Sequence, residues 1–149
     1  MSDASAMVHA AITARFLAAA EAMYGAQSFV EVQSVLTQAE WRTYSQSVSR
    51  FFDRGVIGLG YVERIERERL PELEARLRAD GLADFKVERR GAAVWSGIVT
   101  HIFPPERNAG VLGLDVLSGN TRRTAAEESA RKGAPVISRR INLVEGTET

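Results

Sequence analysis

The spacing of apolar residues changes along the chain from helical to strand-like, and this change restricts the folds that the chain can adopt. Over residues 8–24 apolar side chains recur at helical spacing, and Gly25 is expected to end the helix. Residues 93–103 instead alternate between two faces, as a strand does, until Pro104 and Pro105 end the run. The first half therefore predicts helices, and the second half adds strands. The apolar positions of the first helix are Ile12, Phe16, Ala19 and Met23.

A capping motif predicts a second helix after residue 36. Thr37 stands at the N-cap position and Glu40 follows three residues later, which is the spacing of a capping box. The buried stripe of this helix is expected to consist of Trp41, Tyr44, Val48 and either Phe51 or Phe52.

The next stretch predicts a strand followed by a charged helix. Residues 56–65, "VIGLGYVERI", are typical of a buried strand, and residues 66–81 of an amphipathic helix that Gly81 closes. Pro71 fits such a helix in its first turn or at a kink. The expected inward residues are Leu70, Leu73 and Leu77, and the expected i, i+4 ion pairs are Glu72 with Arg76 and Glu74 with Arg78.

The remaining elements complete an α+β domain. Strands that are linked as hairpins and combined with helices indicate a sheet that is mostly antiparallel. At 149 residues the chain is long enough for one compact domain with a core. The expected elements are a hairpin of residues 85–90 and 93–103 around Gly91, a helix over residues 121–132 that ends at Gly133, and a half-buried strand over residues 135–144.

Charge and cysteine content exclude several classes of function. Lys plus Arg and Asp plus Glu number 19 each, so the net charge gives no attraction to nucleic acid or to an anionic membrane. The absence of cysteine removes disulfides, thiolate metal sites and thiol nucleophiles. The apolar runs are shorter than the about 20 residues that a membrane span needs. The first residues lack the pattern of a signal peptide, so a soluble chain is expected.

No motif for catalysis or for a cofactor is found in the sequence. His9 and His101 are far apart and neither belongs to a ligand-spaced cluster, so no metal site is expected. The sequence has no G-x-S-x-G elbow and no phosphate-binding loop. Gly58 and Gly60 form a G-x-G without the third glycine of a dinucleotide site. We therefore expect no cofactor.

Polar residues are instead concentrated between positions 108 and 123, and two interpretations of them stay open. In the first, Ser118 or Asn120 caps the following helix and Asp115 bonds backbone amides of its own loop. In the second, this loop, the start of the helix and the sheet face that carries Trp95 enclose a ligand. The polar residues in question are Asn108, Asp115, Ser118, Asn120, Arg122 and Arg123.

Several short motifs, taken in order and spacing, resemble the CHASE domain, an extracytoplasmic sensor domain of histidine kinases, diguanylate cyclases, phosphodiesterases and plant cytokinin receptors. The resemblance covers about residues 36–145. The sequence departs from the family pattern at three positions. Trp95 replaces the usual Tyr, Ala93 replaces a residue that is often acidic, and Gly97 replaces Pro or another residue. The motifs are the glycines Gly55, Gly58 and Gly60, the strand Trp95 to Pro104, Asn108, "LGLD" at residues 112–115, Ser118 with Arg122 and Ala125, and Gly133 with Ser138.

The resemblance implies a non-catalytic, PAS-like sensor. It implies an N-terminal helical stalk over residues 1–35, a sensor domain over residues 36–149 that is truncated at its C-terminal end, and a parent protein anchored in the inner membrane by flanking spans. The parent would carry a histidine kinase or cyclic-di-GMP enzyme, with this portion in the periplasm. The small-molecule site that we expect from it consists of Tyr61, Trp95, Ile98, Thr100, Leu112, Asp115, Leu117, Arg123 and Ser138.

Other functional classes are also open. The sensor itself is expected to form a homodimer through the N-terminal helix and to bind no nucleic acid. A structural dimerisation module would pair two copies of the chain through the same helix, with no ligand. Its expected interface consists of Ala11, Arg15, Ala18 and Ala22. An enzyme that acts through Asp115 with Arg122 or Arg123 is disfavoured, because no general base or nucleophile can be named beside them.

Overall fold

The computed structural model describes residues 2–50, 56–88 and 91–139. The chain forms two compact units, Met1–Gly58 and Leu59–Thr149. The predicted boundary after residue 35, between a helical stalk and a sensor domain, stays a prediction. The first unit contains α1 (Asp3–Glu31) and α2 (Gln38–Ser47), and the second contains β1 (Leu59–Glu66), α3 (Leu70–Ala79), β2 (Trp95–Phe103), α4 (Pro105–Asn108) and α5 (Asn120–Lys132).

Helix α1 is longer than the sequence predicted, because Gly25 does not end it. The helix begins after the Ser2 N-cap and continues to Glu31. A Cβ atom added at Gly25 would lie 2.6 Å from the Tyr44 hydroxyl oxygen. Any residue other than glycine would therefore force the Tyr44 side chain or the helix to move. The same hydroxyl donates a hydrogen bond of 2.7 Å to the Ala22 carbonyl. Gly25 therefore allows a close helix contact rather than ending a helix.

Helix α2 confirms the predicted capping box and much of the predicted stripe. Thr37 Oγ1 accepts from the Glu40 amide at 3.1 Å, and the Glu40 carboxylate accepts from the Thr37 amide at 2.8 Å. Trp41 is buried, and the Tyr44 ring stacks on Phe29 with centroids 5.1 Å apart. The predicted continuation to Phe51 and Phe52 lies outside the described residues.

The second unit has a two-stranded antiparallel sheet, which confirms the α+β class. Strand β1 pairs with β2 from Leu59 opposite Phe103 to Glu66 opposite Trp95, with a register shift next to Tyr61. The prediction that residues 85–90 pair with β2 in a hairpin was wrong for the described residues. Glu88 instead forms a bridge with Leu114, because the partner of β2 is β1.

The core of the second unit lies between the sheet and α3. Leu73 and Leu77 each expose 1% of their surface, as the helical spacing predicted, and Ile98 of β2 is fully buried. Pro71 lies in the first turn of α3, where its missing amide hydrogen is not needed. The core consists of Ile65, Leu73, Leu77, Phe85 and Ile98, with Leu70, Leu82, Val87 and Leu112 packed against it.

One of the two predicted ion pairs on α3 is confirmed and the other was wrong. Arg78 Nη2 lies 2.6 Å from Glu74 Oε2, as expected. Arg76 instead binds Glu63 of β1 at 2.6 Å, and Glu72 binds Arg69. Glu63 and Arg76 are both about two-thirds shielded from solvent, so this pair ties α3 to the sheet where water competes less.

Helix α5 ends as predicted but begins differently. Gly133 follows it in the left-handed conformation, with φ of 61°. The N-cap is Gly119 without a side-chain cap, so the prediction of Ser118 or Asn120 as the capping residue was wrong. The Ser118 hydroxyl is engaged elsewhere, donating to the Asp115 carbonyl at 2.9 Å. Of the strand predicted over 135–144, residues 135–139 are not in a strand and the rest lies outside the described residues.

Substitution of Leu73 by alanine should destabilise the second unit. The side chain is at the centre of the core, and we expect a loss of about 2–5 kcal/mol in the free energy of unfolding from the lost contacts and the cavity. Urea denaturation followed by circular dichroism measures the loss. Val94→Ala is the control, because Val94 is 69% exposed and should change the free energy by less than about 0.5 kcal/mol. Equal effects of the two variants would contradict the assigned core.

Candidate ligand-binding site

The nine residues predicted to bind a ligand occur in five parts of the second unit. Leu117 contacts Asp115 and Arg123 directly, whereas Ser138 lies beyond the end of α5. Tyr61 lies on β1; Trp95, Ile98 and Thr100 lie on β2; Leu112, Asp115 and Leu117 lie in the segment before α5; Arg123 lies in α5, and Ser138 follows it.

The segment around Asp115 runs beside β2 and extends the sheet by single bridges. The Gly113 amide donates to the Val99 carbonyl at 2.9 Å, and the Val99 amide donates to the Leu114 carbonyl at 3.1 Å. On the other side, the Asp115 amide donates to the Glu88 carbonyl at 3.1 Å. Asp115 is therefore held between β2 and Glu88, with only 5% of its surface exposed.

The carboxylate of Asp115 completes this pairing. Its Oδ1 accepts from the Gly97 amide at 3.1 Å and from the Leu117 amide at 3.2 Å. The side-chain oxygen thus takes the place of a main-chain carbonyl at the edge of β2. The structure supports the interpretation in which Asp115 bonds backbone amides, and its ligand-binding role stays a prediction.

Gly97 makes the close approach of this segment possible. A Cβ atom at this position would come within about 3 Å of the Leu117 side chain, closer than packed atoms approach. Leu117 therefore sits directly on the β2 backbone, and its own amide reaches Asp115. The glycine that departs from the family pattern thus has a physical reason in this chain.

Arg123 is also bonded within the loop that it follows. Its Nε donates to the Leu117 carbonyl at 2.8 Å, which fixes the first turn of α5 to the segment on β2. With the Ser118 bond to the Asp115 carbonyl, three polar side chains of this region bind the main chain next to them. They position α5 rather than project into an open site.

The predicted residues on the strands divide into buried and exposed ones. Ile98 belongs to the core, and Leu112 packs against it. Thr100 is fully buried; its hydroxyl lies 2.8 Å from His101 Nδ1 and 3.5 Å from the Tyr61 carbonyl oxygen.

Burial raises the pKa of the Tyr61 phenol, the nearby Glu63 carboxylate raises it further, and Arg76 opposes the rise. Trp95 is 40% exposed, with the Arg64 guanidinium 4.1 Å from its ring centroid.

A pocket of about 450 Å³ lies along one side of α5, and we call it the α5 groove. One wall consists of α5 residues that share a helix face at spacings of three and four. The other wall is the segment that follows Gly133. Ser138 is the only residue of the predicted site that lines the groove. The lining residues are Asn120, Thr121, Thr124, Ala125, Glu128, Ile137, Ser138 and Arg139.

Most polar side chains of the α5 groove have no bonding partner among the residues that the structure describes. Asn120, Thr121, Thr124 and Arg139 make no side-chain hydrogen bond or ion pair to the described part of the chain. Glu128 Oε1 binds Lys132 Nζ at 2.5 Å, and this pair holds the pKa of the Glu128 carboxyl below its usual value. The groove therefore offers donors, acceptors and a charged carboxylate to a ligand.

Four residues of the groove were not among those predicted from the sequence to bind a ligand: Thr121, Thr124, Glu128 and Arg139. The signal was present in part, because Thr121, Thr124 and Glu128 lie on one face of a predicted helix. Nothing in the sequence showed that a second wall faces them. Within residues 2–50, 56–88 and 91–139, no three His, Asp or Glu side chains come together as metal ligands would.

Comparison with known families agrees with this architecture. A helix followed by an α+β unit is compatible with a sensor module. The sequence model of the CHASE domain family matches residues 34–149. The chain belongs to the CHASE family. The matched part is therefore an extracytoplasmic sensor domain used in signal transduction, and not a catalytic domain. A search of the curated proteins gave no match.

Helix α1 is long and apolar enough, by length and composition, to cross a membrane. A signal sequence or a core helix of a soluble protein meets the same two criteria. The sequence-based expectation that no segment reaches this length was wrong. Charged residues such as Arg15 and Glu21 interrupt the apolar runs in the sequence but do not interrupt the helix.

Replacement of Asp115 by alanine should destabilise the chain in the absence of any ligand. The amides of Gly97 and Leu117 would lose their acceptor, and each unsatisfied buried amide costs about 1–3 kcal/mol. Urea denaturation measures the loss, with the exposed Asp84→Ala as the control. A variant as stable as the wild type would show that Asp115 does not anchor this segment.

Proposed function

We propose that the chain is the small-molecule-binding part of a membrane-bound signalling receptor, and that the ligand lies in the α5 groove. The observation that carries the proposal is the contrast between two sets of polar residues. Asp115, Ser118 and Arg123 bond the main chain around them, whereas Thr121 and Thr124 face the groove without such bonds. A family of sensor domains needs a ligand site, and the groove offers polar groups for one.

The dimensions of the groove support this proposal. Small-molecule sites have volumes of about 300–1,000 Å³ and combine apolar contact with a few polar groups. The α5 groove has about 450 Å³, with Ala125 and Ile137 beside hydroxyl, amide and charged groups. A ligand of modest size would therefore fill it and be oriented by the polar side chains.

Binding at the groove would act on α5, and α5 is tied to the sheet. Arg123 joins its first turn to the Leu117 carbonyl, and Leu117 rests on Gly97 of β2. A ligand that binds two positions of α5 with different affinity would shift the equilibrium between them. In the receptor, this shift would be passed to the helices that lead to the membrane.

The remaining features of the proposal concern the parent protein. The domain would be the periplasmic portion of an inner-membrane protein with spans on both sides of it. A histidine kinase or a cyclic-di-GMP enzyme would supply the output. Membership of the CHASE family supports the extracytoplasmic location, and the finer assignments are ours.

A thermal-shift screen tests the ligand proposal. The probes are purines, nucleosides, amino acids and small carboxylates, and a probe that binds the folded chain raises the melting temperature. We expect Thr124→Val to reduce this rise, because a hydroxyl of the groove is lost while the shape is kept. The control is Thr43→Val on α2, outside the groove. A response that is identical in wild type and Thr124→Val would place the ligand elsewhere.

A second function, dimerisation through α1, is favoured by the exposed apolar residues of that helix. Val8, Ile12, Phe16 and Met23 follow helical spacing and expose between 40% and 63% of their surface. Of the interface predicted from the sequence, Ala18 and Ala22 are buried within the chain, and Ala11 and Arg15 are exposed. We propose that a homodimer would use the exposed apolar stripe.

The oligomeric state tests the dimerisation proposal. Ile12→Glu introduces a charge into the stripe, so we expect the sedimentation coefficient to change from that of a dimer to that of a monomer at micromolar concentration. Ala14→Glu adds the same charge on another exposed face of α1 and should leave the dimer intact. A wild-type chain that is monomeric at all concentrations would exclude this interface.

A further inference from the structure

We propose that the α5 groove takes a small zwitterion of the α-amino-acid type, with its ammonium group on Glu128 and its carboxylate on Arg139. This inference rests on the proposed ligand-binding function and adds the chemical class of the ligand. It depends on the arrangement of charged, hydroxyl and apolar groups along the two walls.

The wall formed by α5 changes its chemistry along the helix. Thr121, Thr124 and Glu128 lie on successive turns of one face, and Thr121 and Glu128 are about 10 Å apart along the axis. Hydroxyl groups therefore lie towards the start of the helix and the carboxylate lies towards its end. Ser138 and Arg139 line the groove from the segment after α5, so a cationic group and an anionic group belong to different walls.

Glu128 is an ionised carboxylate that keeps room for a second cation. Lys132 and the nearby Arg131 hold the pKa of its carboxyl below the usual value, so the negative charge is present throughout the physiological pH range. Lys132 Nζ binds Oε1. A carboxylate has about four lone-pair sites on its two oxygens, so one ammonium partner leaves sites for another.

Arg139 supplies the complementary charge. Its guanidinium has no ion-pair partner in the described part of the chain, and its planar donors match a carboxylate in two parallel hydrogen bonds. A purely anionic ligand would bind Arg139 but would meet the charge of Glu128. A purely cationic ligand would bind Glu128 but would be repelled by Arg139. A ligand with both charges meets a partner at each wall.

The uncharged residues of the groove suit the rest of such a molecule. The hydroxyls of Thr121 and Thr124 can each donate and accept a hydrogen bond, and the Asn120 amide adds further donors and an acceptor. The Ser138 hydroxyl donates to the Arg139 carbonyl at 3.0 Å and keeps its acceptor sites. Ala125 and Ile137 offer apolar contact to a carbon side chain.

Matched probes test the charge requirement on the full chain. The twenty common amino acids are screened by thermal shift, and the amino acid with the largest response is compared with its decarboxylated amine and its deaminated acid. We expect the amino acid to bind and each single-charge analogue to bind at least about tenfold more weakly, because each loses one charged hydrogen-bond partner. Isothermal titration calorimetry measures the three dissociation constants.

Variants of the two charged residues complete the test. Glu128→Gln and Arg139→Gln should each weaken amino-acid binding about tenfold or more. In addition, Glu128→Gln should leave the binding of the deaminated acid unchanged or stronger. The controls are Glu127→Gln on α5 and Arg107→Gln on α4, which are exposed residues that do not line the groove.

The outcomes separate this inference from the proposed function. One outcome would overturn the zwitterionic ligand class and retain the ligand-binding function. In it, purines or simple carboxylates bind, Thr124→Val weakens their binding, and no amino acid gives a response. Amino-acid binding that is unaffected by Glu128→Gln and Arg139→Gln would also overturn the assignment of these residues. No thermal response to any probe would contradict the proposed function itself.

Discussion

The bonds of the Asp115 carboxylate to the Gly97 and Leu117 amides are the contact on which the second unit depends. They hold the segment before α5 against β2, in a place where Gly97 leaves room for the Leu117 side chain. Arg123 then fixes the start of α5 to that segment. The direction of α5, and with it one wall of the α5 groove, follows from a carboxylate buried at the edge of the sheet.

This arrangement separates the residues that build the site from those that face it. The polar residues that stood out in the sequence, Asp115, Ser118 and Arg123, are hydrogen-bonded to nearby main chain. The groove is instead lined by threonines and charged residues of an exposed helix face. A sensor fold built in this way can change the residues that line the α5 groove without changing the contacts that hold α5 in place.

Local sequence signals predicted the elements that depend on nearby residues. The Thr37 and Glu40 capping box, the leucines of α3 and the end of α5 at Gly133 all follow from spacings within a few residues. Predictions that depended on distant partners were less successful. Arg76 binds Glu63 rather than Glu72, and β2 pairs with β1 rather than with residues 85–88, the described part of the expected hairpin strand, because both partners are brought close only by the fold.

The sequence by itself determined the α+β class, most of the helices and the CHASE family, because periodicity, capping and motif order are properties of neighbouring residues. Only the tertiary structure decided which polar groups bond the protein's own main chain and which line the α5 groove. Asp115 and Gly97 are 18 residues apart, so their hydrogen bond exists only once the segment lies on the sheet. Hydrogen bonding of a buried group is decided by its neighbours in space, and these neighbours are set by the fold.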